Sequence, residues 1–222
     1  MQVPGETEFF EVAVSTRAGC TKILGDRCED AISLLAVAAF QLQAAHVGAH
    51  MAEMAGEGSH TETLRQVGTD YGGVFSAALN LSVRCSATAI DLCAAALGRL
   101  VGIPTDPSRE MDAGDFKRRI SRNLVEPLLA STTASFESRL SSTDFVKLET
   151  LRHQLTHKRY RRGVYGTTES PAEPARLAFP RQMDIELGGV LTPKDEAARW
   201  CVQFGETTFR DLCGHVAEIG DP

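Results

Sequence analysis

The feature that most constrains the fold of this sequence is a long apolar segment without proline that follows Asp26. Asp26 and Glu29 have the spacing of a capping box, which opens a helix. The 27 residues after Glu29 contain no proline and end near Gly56 and Gly58. Their large apolar side chains cover much of a helix circumference: Ile32, Leu35, Val37, Phe40, Leu42, Val47, Met51 and Met54. A helix of this kind buries most of its surface, so the pattern predicts a long helix deep in a bundle.

Two further helical stretches follow this segment. The pattern predicts a second long helix over residues 61–101, which the glycines at 72 and 73 can interrupt. The turn GIPTDPS ends it, because prolines and an aspartate favour turns. A third helix is expected over residues 113–139, broken or kinked at Pro127, since proline removes a helix hydrogen bond.

A fourth helix begins after the serines at 141 and 142, which are good helix caps. Its apolar residues share one stripe: Phe145, Leu148, Leu151 and Leu155. The last helix is expected over residues 193–219, with Thr192 as its cap and Pro193 at its first position.

Two segments do not fit a helical pattern. The alternation of Phe10, Val12 and Val14 suggests that residues 1–25 form an N-terminal arm or a short strand. Residues 161–192 are rich in proline and glycine, which indicates a loop insertion with a brief strand pair around its two adjacent glycines at 188 and 189. The chain is therefore expected to be a single all-α domain over residues 1–222. It would be a helical bundle of four to five long helices, with a Pro/Gly-rich loop or short hairpin before the last helix.

Composition excludes several classes of protein. The chain has 222 residues, 43% of them hydrophobic and 23% charged, as in folded soluble domains. The first residues lack the basic start of a signal peptide, and the apolar run 31–40 is too short to span a bilayer. We therefore expect a cytoplasmic protein without a membrane. The six cysteines form no CxxC pair, which favours free thiols over a zinc or redox site.

A local concentration of positive charge contrasts with the acidic chain. The formal net charge is -6, yet LRHQLTHKRYRR at 151–162 holds five lysines and arginines and no acid. In it Arg152 and His157 form the pattern R-x4-H, with the polar His153 directly after the arginine. Histidine titrates near neutral pH and transfers protons, while arginine stays charged and binds phosphate oxygens through its planar fork. These residue types suit RNA cleavage without a metal.

The motif and the helical organisation around it resemble the HEPN superfamily. The resemblance implies a metal-independent endoribonuclease that cleaves single-stranded RNA or tRNA, as a toxin or a component of antiviral defence, without a cofactor. His157 would then be the acid/base, Arg152 would hold the scissile phosphate, and His153 would assist. It also implies a homodimer whose two motifs face one groove, and a partner that neutralises or activates the enzyme.

Two basic clusters would bind the RNA strand. After the motif, Lys158, Arg159, Arg161 and Arg162 would follow the backbone, and Tyr160 would stack on a base. The second cluster, at the start of the predicted third helix, consists of Lys117, Arg118, Arg119 and Arg122. It extends the RNA path only if the fold brings it to the same groove; otherwise it is solvated surface.

Four other interpretations stay open. The cations after His157 can simply stabilise a helix C-terminus through its dipole. A second R-x4-H pattern joins Arg210 to His215, although no other cation lies near it. A metal could bind His46, His50, Glu53 and His60, but such histidines in an apolar helix are more often buried polar positions. Finally, the same bundle can be a non-catalytic binding or dimerisation module.

Geometry restricts how the motif can work. Five residues along an ideal helix turn by about 500°, so Arg152 and His157 point roughly 140° apart around the axis. The two side chains meet only if the helix loosens near His157 or if a second subunit completes the cleft.

Overall fold

A computed structural model describes residues 8–25, 28–56, 71–104, 111–157 and 184–220. Within them the helices are α1 (Glu8–Ser15), α2 (Arg17–Leu24), α3 (Glu29–Gly56), α4 (Tyr71–Leu100), α5 (Ala113–Ile120), α6 (Pro127–Leu140), α7 (Thr143–His157) and α8 (Lys194–Gly220). Two short strands, β1 (Asp184–Leu187) and β2 (Val190–Pro193), precede α8. The predicted all-α helical bundle is confirmed.

The three longest helices, α3, α4 and α8, form the centre of the bundle. Their inner faces carry large side chains that are almost fully buried, among them Leu35, Leu42, Leu79, Ile90, Leu97 and Phe209. Burial of such side chains contributes about 1.5–3 kcal/mol each, so the packing of α3, α4 and α8 against one another dominates the stability of the fold. The α3 and α4 backbones approach closely at Gly48, where an added Cβ would lie 2.7 Å from Ser82 Oγ.

The N-terminal segment is helical, so the prediction of an arm or short strand is wrong over residues 8–24. Phe9 and Ala13 lie one helical turn apart, and both are buried. Phe10 and Val14, which produced the apparent alternation, are exposed. The burial of Phe9 therefore decides the structure, because a helix places it and Ala13 on one face toward α3 and α8.

The predicted third helix, 113–139, is broken before Pro127 into two helices, and it is not a single kinked helix. The chain leaves the helix after Ile120, and α6 begins at Pro127. Proline suits the first turn of a helix, where its missing N–H would have no partner in any case. Pro127 therefore starts a helix instead of bending one.

The predicted fourth helix is confirmed as α7, which starts at Thr143. The Ser142 Oγ accepts a hydrogen bond from the backbone N–H of Phe145 at 3.2 Å, so Ser142 caps the helix. Leu148, Leu151 and Leu155 are buried, and α7 packs against α4 and α6. The predicted apolar stripe thus holds the motif helix against the bundle.

The predicted strand pair before the last helix is confirmed as well. Strands β1 and β2 pair in antiparallel register, with Leu187 opposite Val190. Gly188 and Gly189 have φ values of 61° and 85°, as the turn of a tight hairpin requires. The last helix, α8, starts at Lys194. Pro193 was predicted to be its first residue but is the last residue of β2. Residues 158–183, most of the expected loop insertion, lie outside the described residues, as does the proposed cap Asp26.

Among the residues that the structure describes, two helices are long and apolar enough to cross a membrane by length and composition. One spans Glu29–Met54, and 50% of its most apolar part is buried. The other spans Ser76–Leu100, and 72% of its most apolar part is buried. Core helices of bundles meet the same criterion, so this is weak evidence. The expectation of a cytoplasmic protein without a membrane stays a prediction.

Candidate functional site around Arg152

Arg152 lies on α7 between two buried leucines, and its side chain reaches back to α4. Its Nη1 donates to Oδ2 of Asp91 at 2.9 Å and to Oε1 of Glu149 at 3.2 Å. The Arg152 side chain is 35% exposed and that of Asp91 19%. The guanidinium is therefore fixed at the edge of the bundle by two carboxylates of the same chain.

Asp91 connects three helices. Its Oδ1 accepts a hydrogen bond at 3.0 Å from the backbone N–H of Ala113, the first residue of α5. Asp112 precedes α5 and caps the same helix. Its Oδ1 accepts a hydrogen bond from the backbone N–H of Asp115. One carboxylate on α4 thus positions both the N-terminus of α5 and the arginine of α7.

The ionisation of this cluster is governed by burial. Burial raises the pKa of Asp91, and the bonds from Ala113 and Arg152 only partly offset it. Burial likewise raises the pKa of Glu149 against the attraction of Arg152. Although burial alone would lower the pKa of Arg152, Asp91 and Glu149 outweigh it and raise that pKa. Arg152 consequently stays charged, and each of the two acids loses its proton at a higher pH than an exposed carboxyl would.

The histidines of the motif lie on the last two turns of α7. His153 is exposed. His157 is the last residue of α7, and its side chain lies outside what the structure describes. The helix extends as far as His157, so the structure shows no loosening before that residue. A second subunit that completes the cleft stays a prediction.

The five residues after His157 that were predicted to bind RNA, Lys158, Arg159, Tyr160, Arg161 and Arg162, lie outside the described residues. Those of the second cluster, Lys117, Arg118 and Arg119, are exposed in the last turn of α5. Arg118 forms an ion pair with Asp115, and Arg119 donates to the carbonyl of Pro104 at 2.9 Å. Along the axis of α5 this cluster lies about 6–9 Å from Ala113, the residue whose N–H donates to Asp91.

The two residues of the second R-x4-H pattern, Arg210 and His215, make separate contacts in the structure. Arg210 binds Glu206 at 2.8 Å and Glu8, and its guanidinium covers the ring of Phe9 at 5.2 Å. His215 instead lines a shallow cleft between α6 and α8, beside the Arg139–Asp211 ion pair. The two residues therefore serve different contacts, as their angular separation on a helix requires.

The proposed metal-binding histidines have other partners. His46 is buried, and its Nε2 lies 3.1 Å from Oε2 of Glu206. His50 Nδ1 lies 3.7 Å from Glu53, which also pairs with Arg199. Among the residues with described positions, no group of three or more His, Cys, Asp or Glu side chains is placed to hold a metal ion. His60 is not among those residues, so the preferred interpretation of His46 is a buried polar position.

The sequence pattern did not predict the role of Asp91. In the sequence Asp91 is a lone acid in an apolar helix, and the nearest cations along the chain are Arg84 and Arg99. The structure pairs it with Arg152, 61 positions later.

The chain matches no protein-family model, no curated protein and no solved structure. The HEPN resemblance thus depends on the motif and the helical organisation alone.

Proposed function

We propose that this protein is a HEPN-like, metal-independent endoribonuclease that cleaves single-stranded RNA or tRNA. The supporting observation is the placement of Arg152. Asp91 holds its guanidinium at the edge of the bundle, partly open to solvent, and the sequence after His157 supplies four cations within five residues. A guanidinium carries five N–H donors, so it can hold a carboxylate and a phosphate at the same time.

In the proposed reaction the imidazole of His157 takes the proton of a ribose 2′-hydroxyl. The 2′-oxygen attacks the adjacent phosphorus, and the bond from phosphorus to the 5′-oxygen breaks. A protonated histidine returns a proton to that leaving oxygen, which gives a 2′,3′-cyclic phosphate and a 5′-hydroxyl. Arg152 stabilises the charge that gathers on the phosphate oxygens. Asp91 is a positioning residue, since it acts only through Arg152.

The proposed enzyme works as a homodimer in the cytoplasm, as a toxin or in antiviral defence, with a partner that restrains or triggers it. The separation of Arg152 and His157 by roughly 140° around an ideal helix supports a second subunit, which would complete the cleft. His153 and the exposed cations of α5 extend the RNA-binding surface next to the motif.

One observation favours a second candidate, a non-catalytic HEPN-like binding or dimerisation module. Arg152 is already engaged by Asp91 and Glu149, so with both acids ionised the trio carries a net negative charge. Such a cluster attracts phosphate less than an isolated arginine does. In this candidate the motif arginine holds α7 to the bundle, and RNA or a protein is bound without cleavage.

The test is cleavage of RNA and of matched DNA in the presence of a chelator. The endoribonuclease cuts RNA only, and His157→Ala abolishes the cut while leaving the helical circular dichroism spectrum unchanged. The matched control is His215→Ala, in the second R-x4-H pattern, which should cut like wild type. Binding of RNA by wild type and His157→Ala alike, with no cleavage, would support the non-catalytic module. Cleavage that requires a metal would contradict both.

Arg152→Lys supplies a second variant that keeps the charge and the ion pair with Asp91. A lysine is a point charge and lacks the planar fork, so cleavage should fall about 10-fold or more while the fold persists. Unchanged cleavage would exclude Arg152 from the phosphate site.

A further inference from the structure

The outward face of α3 carries a continuous apolar stripe. Its members are spaced alternately three and four residues apart and are defined here as the α3 stripe: Val37, Phe40, Ala44, Val47, Met51 and Met54. Phe40 is 70% exposed, Val37 48%, Val47 42% and Met51 41%, and the other two are half-buried. The prediction that α3 lies deep in the bundle does not hold on this face. Exposed apolar side chains that are contiguous mark an interaction surface, whereas scattered ones do not.

The stripe is not needed for the fold of a single copy. The opposite face of α3 already supplies the core, with Leu35, Leu42, Ala45 and Ala49 fully buried against α4 and α8. The α3 helix is therefore apolar on two sides and uses only one of them in its contacts with the other described helices.

The spacing fits another helix. Apolar residues at alternating intervals of three and four form the a/d seam of a coiled coil, in which each side chain enters a hole on the facing helix. The positions beside the seam are uncharged, including Gln41, Gln43 and His50, and no charged residue occurs between Asp30 and Glu53. The face is thus about 26 Å long and free of charge.

We propose that two copies of this chain associate through the α3 stripe, with the two α3 helices antiparallel. A second copy brings a helix of the same spacing, and the uncharged face lets two molecules of net charge -6 meet without local repulsion. A parallel pair would place Asp30 beside Asp30 and Glu53 beside Glu53, whereas an antiparallel pair separates them. One antiparallel register uses all six stripe residues and sets Phe40 against Met51, Val37 against Met54, and Ala44 against Val47 of the second copy.

The size of the face predicts a reversible dimer. A strip about 26 Å long and two helix diameters wide covers roughly 500–600 Å² of each copy. Stable interfaces cover about 800 Å² per partner, so this contact belongs to the weaker class. The α3 pairing is separate from the motif groove of the proposed ribonuclease, because the stripe lies on α3 and α7 packs chiefly on α4 and α6. The sedimentation is therefore run without RNA, so that no substrate joins two motifs.

The experiment is sedimentation of the full chain over about a hundredfold range of concentration, where mass action shifts a reversible dimer. Wild type should pass from monomer to dimer, and Phe40→Glu should stay monomeric. The control is Val146→Glu, which replaces an exposed apolar residue of α7 outside the stripe and should dimerise like wild type. Each variant should keep the wild-type melting temperature, since both replaced side chains are exposed.

A rescue variant tests the orientation. In the antiparallel register a Glu at 40 faces position 51 of the second copy, so the double variant Phe40→Glu with Met51→Arg should recover the dimer. A monomeric wild type, a dimeric Phe40→Glu, or a double variant that stays monomeric would overturn the proposal. Flotation of monomeric wild type with lipid vesicles, lost in Phe40→Glu, would instead assign the stripe to a membrane surface and would also overturn it.

Discussion

Arg152 and Asp91 form an ion pair at 2.9 Å that joins helix α7 to helix α4. The same carboxylate accepts from the backbone of Ala113, so one side chain of α4 fixes the arginine of the motif and the start of a basic helix. The candidate site is thus built around an acid that the sequence displays only as an isolated charge.

Replacement of Asp91 by Ala should destabilise the fold by about 1–2 kcal/mol. The Ala113 N–H loses its acceptor and Arg152 loses its nearest counter-charge. Urea unfolding followed by circular dichroism measures the difference. Lys117→Ala, on the exposed face of α5, is the control and should stay within about 0.5 kcal/mol. Equal effects of the two changes would show that Asp91 does not hold these helices together.

Asp91 should also leave a signature in the pH dependence of stability. Its pKa is raised in the folded protein above the ordinary 3.8, so the folded state holds the proton more tightly. The contribution of this group to stability therefore falls as pH rises from below 3.8 through the folded pKa. Asp91→Asn cannot titrate, so it should gain stability relative to wild type over that rise. A constant difference between the two proteins from pH 3 to neutrality, measured by urea unfolding, would argue against the burial of this carboxyl.

Glu206 should show the opposite sign in the same experiment. The hydrogen bond with His46, followed by that from Arg210, lowers the pKa of Glu206 below the ordinary 4.5 despite partial burial. Its contribution is present above pH 4.5 and is lost as pH falls through the folded pKa. Glu206→Gln should therefore cost about 1–2 kcal/mol at neutral pH, with the deficit shrinking in acid. A deficit that grows in acid would contradict this network.

Two glycines give a matched test of helix packing. An added Cβ at Gly19 of α2 would lie 1.8 Å from the carbonyl oxygen of Val216 on α8, whereas one at Gly214 would meet nothing within 4 Å. Gly19→Ala should lower stability by about 2 kcal/mol or more, since two backbones must separate. Gly214→Ala should raise it by about 0.5–1 kcal/mol, because alanine favours an exposed helix interior. A higher melting temperature for Gly19→Ala would mean that α2 and α8 do not touch here.

The helices were predictable from the sequence because their signals are local. Each of these signals depends only on a few neighbouring residues: the apolar spacing of α7, the serine cap before it and the glycine pair of the hairpin. The N-terminal strand was predicted wrongly because Phe10 and Val14 alternate with residues whose burial only the tertiary structure decides. Phe9 is covered by α3 and α8, which lie far away in the sequence.

The candidate site was only half predictable for the same reason. Arg152 was found from its spacing to His157 and from the cations that follow. Its partner Asp91 belongs to another helix, and no local pattern links the two. The α3 stripe was also missed, since hydropathy marks an apolar side chain without showing whether its neighbours come from this chain or from a second copy.

The most direct test of the proposed activity compares RNA with the same strand carrying 2′-O-methyl groups, both incubated with the wild-type protein and a chelator. The two strands present the same phosphates and bases, but only RNA has the hydroxyl that His157 would deprotonate. We predict that both bind and that RNA alone is cut, leaving 2′,3′-cyclic phosphate ends. Cleavage of the methylated strand at a similar rate, or no cleavage of either strand by the dimeric protein, would contradict the proposed ribonuclease.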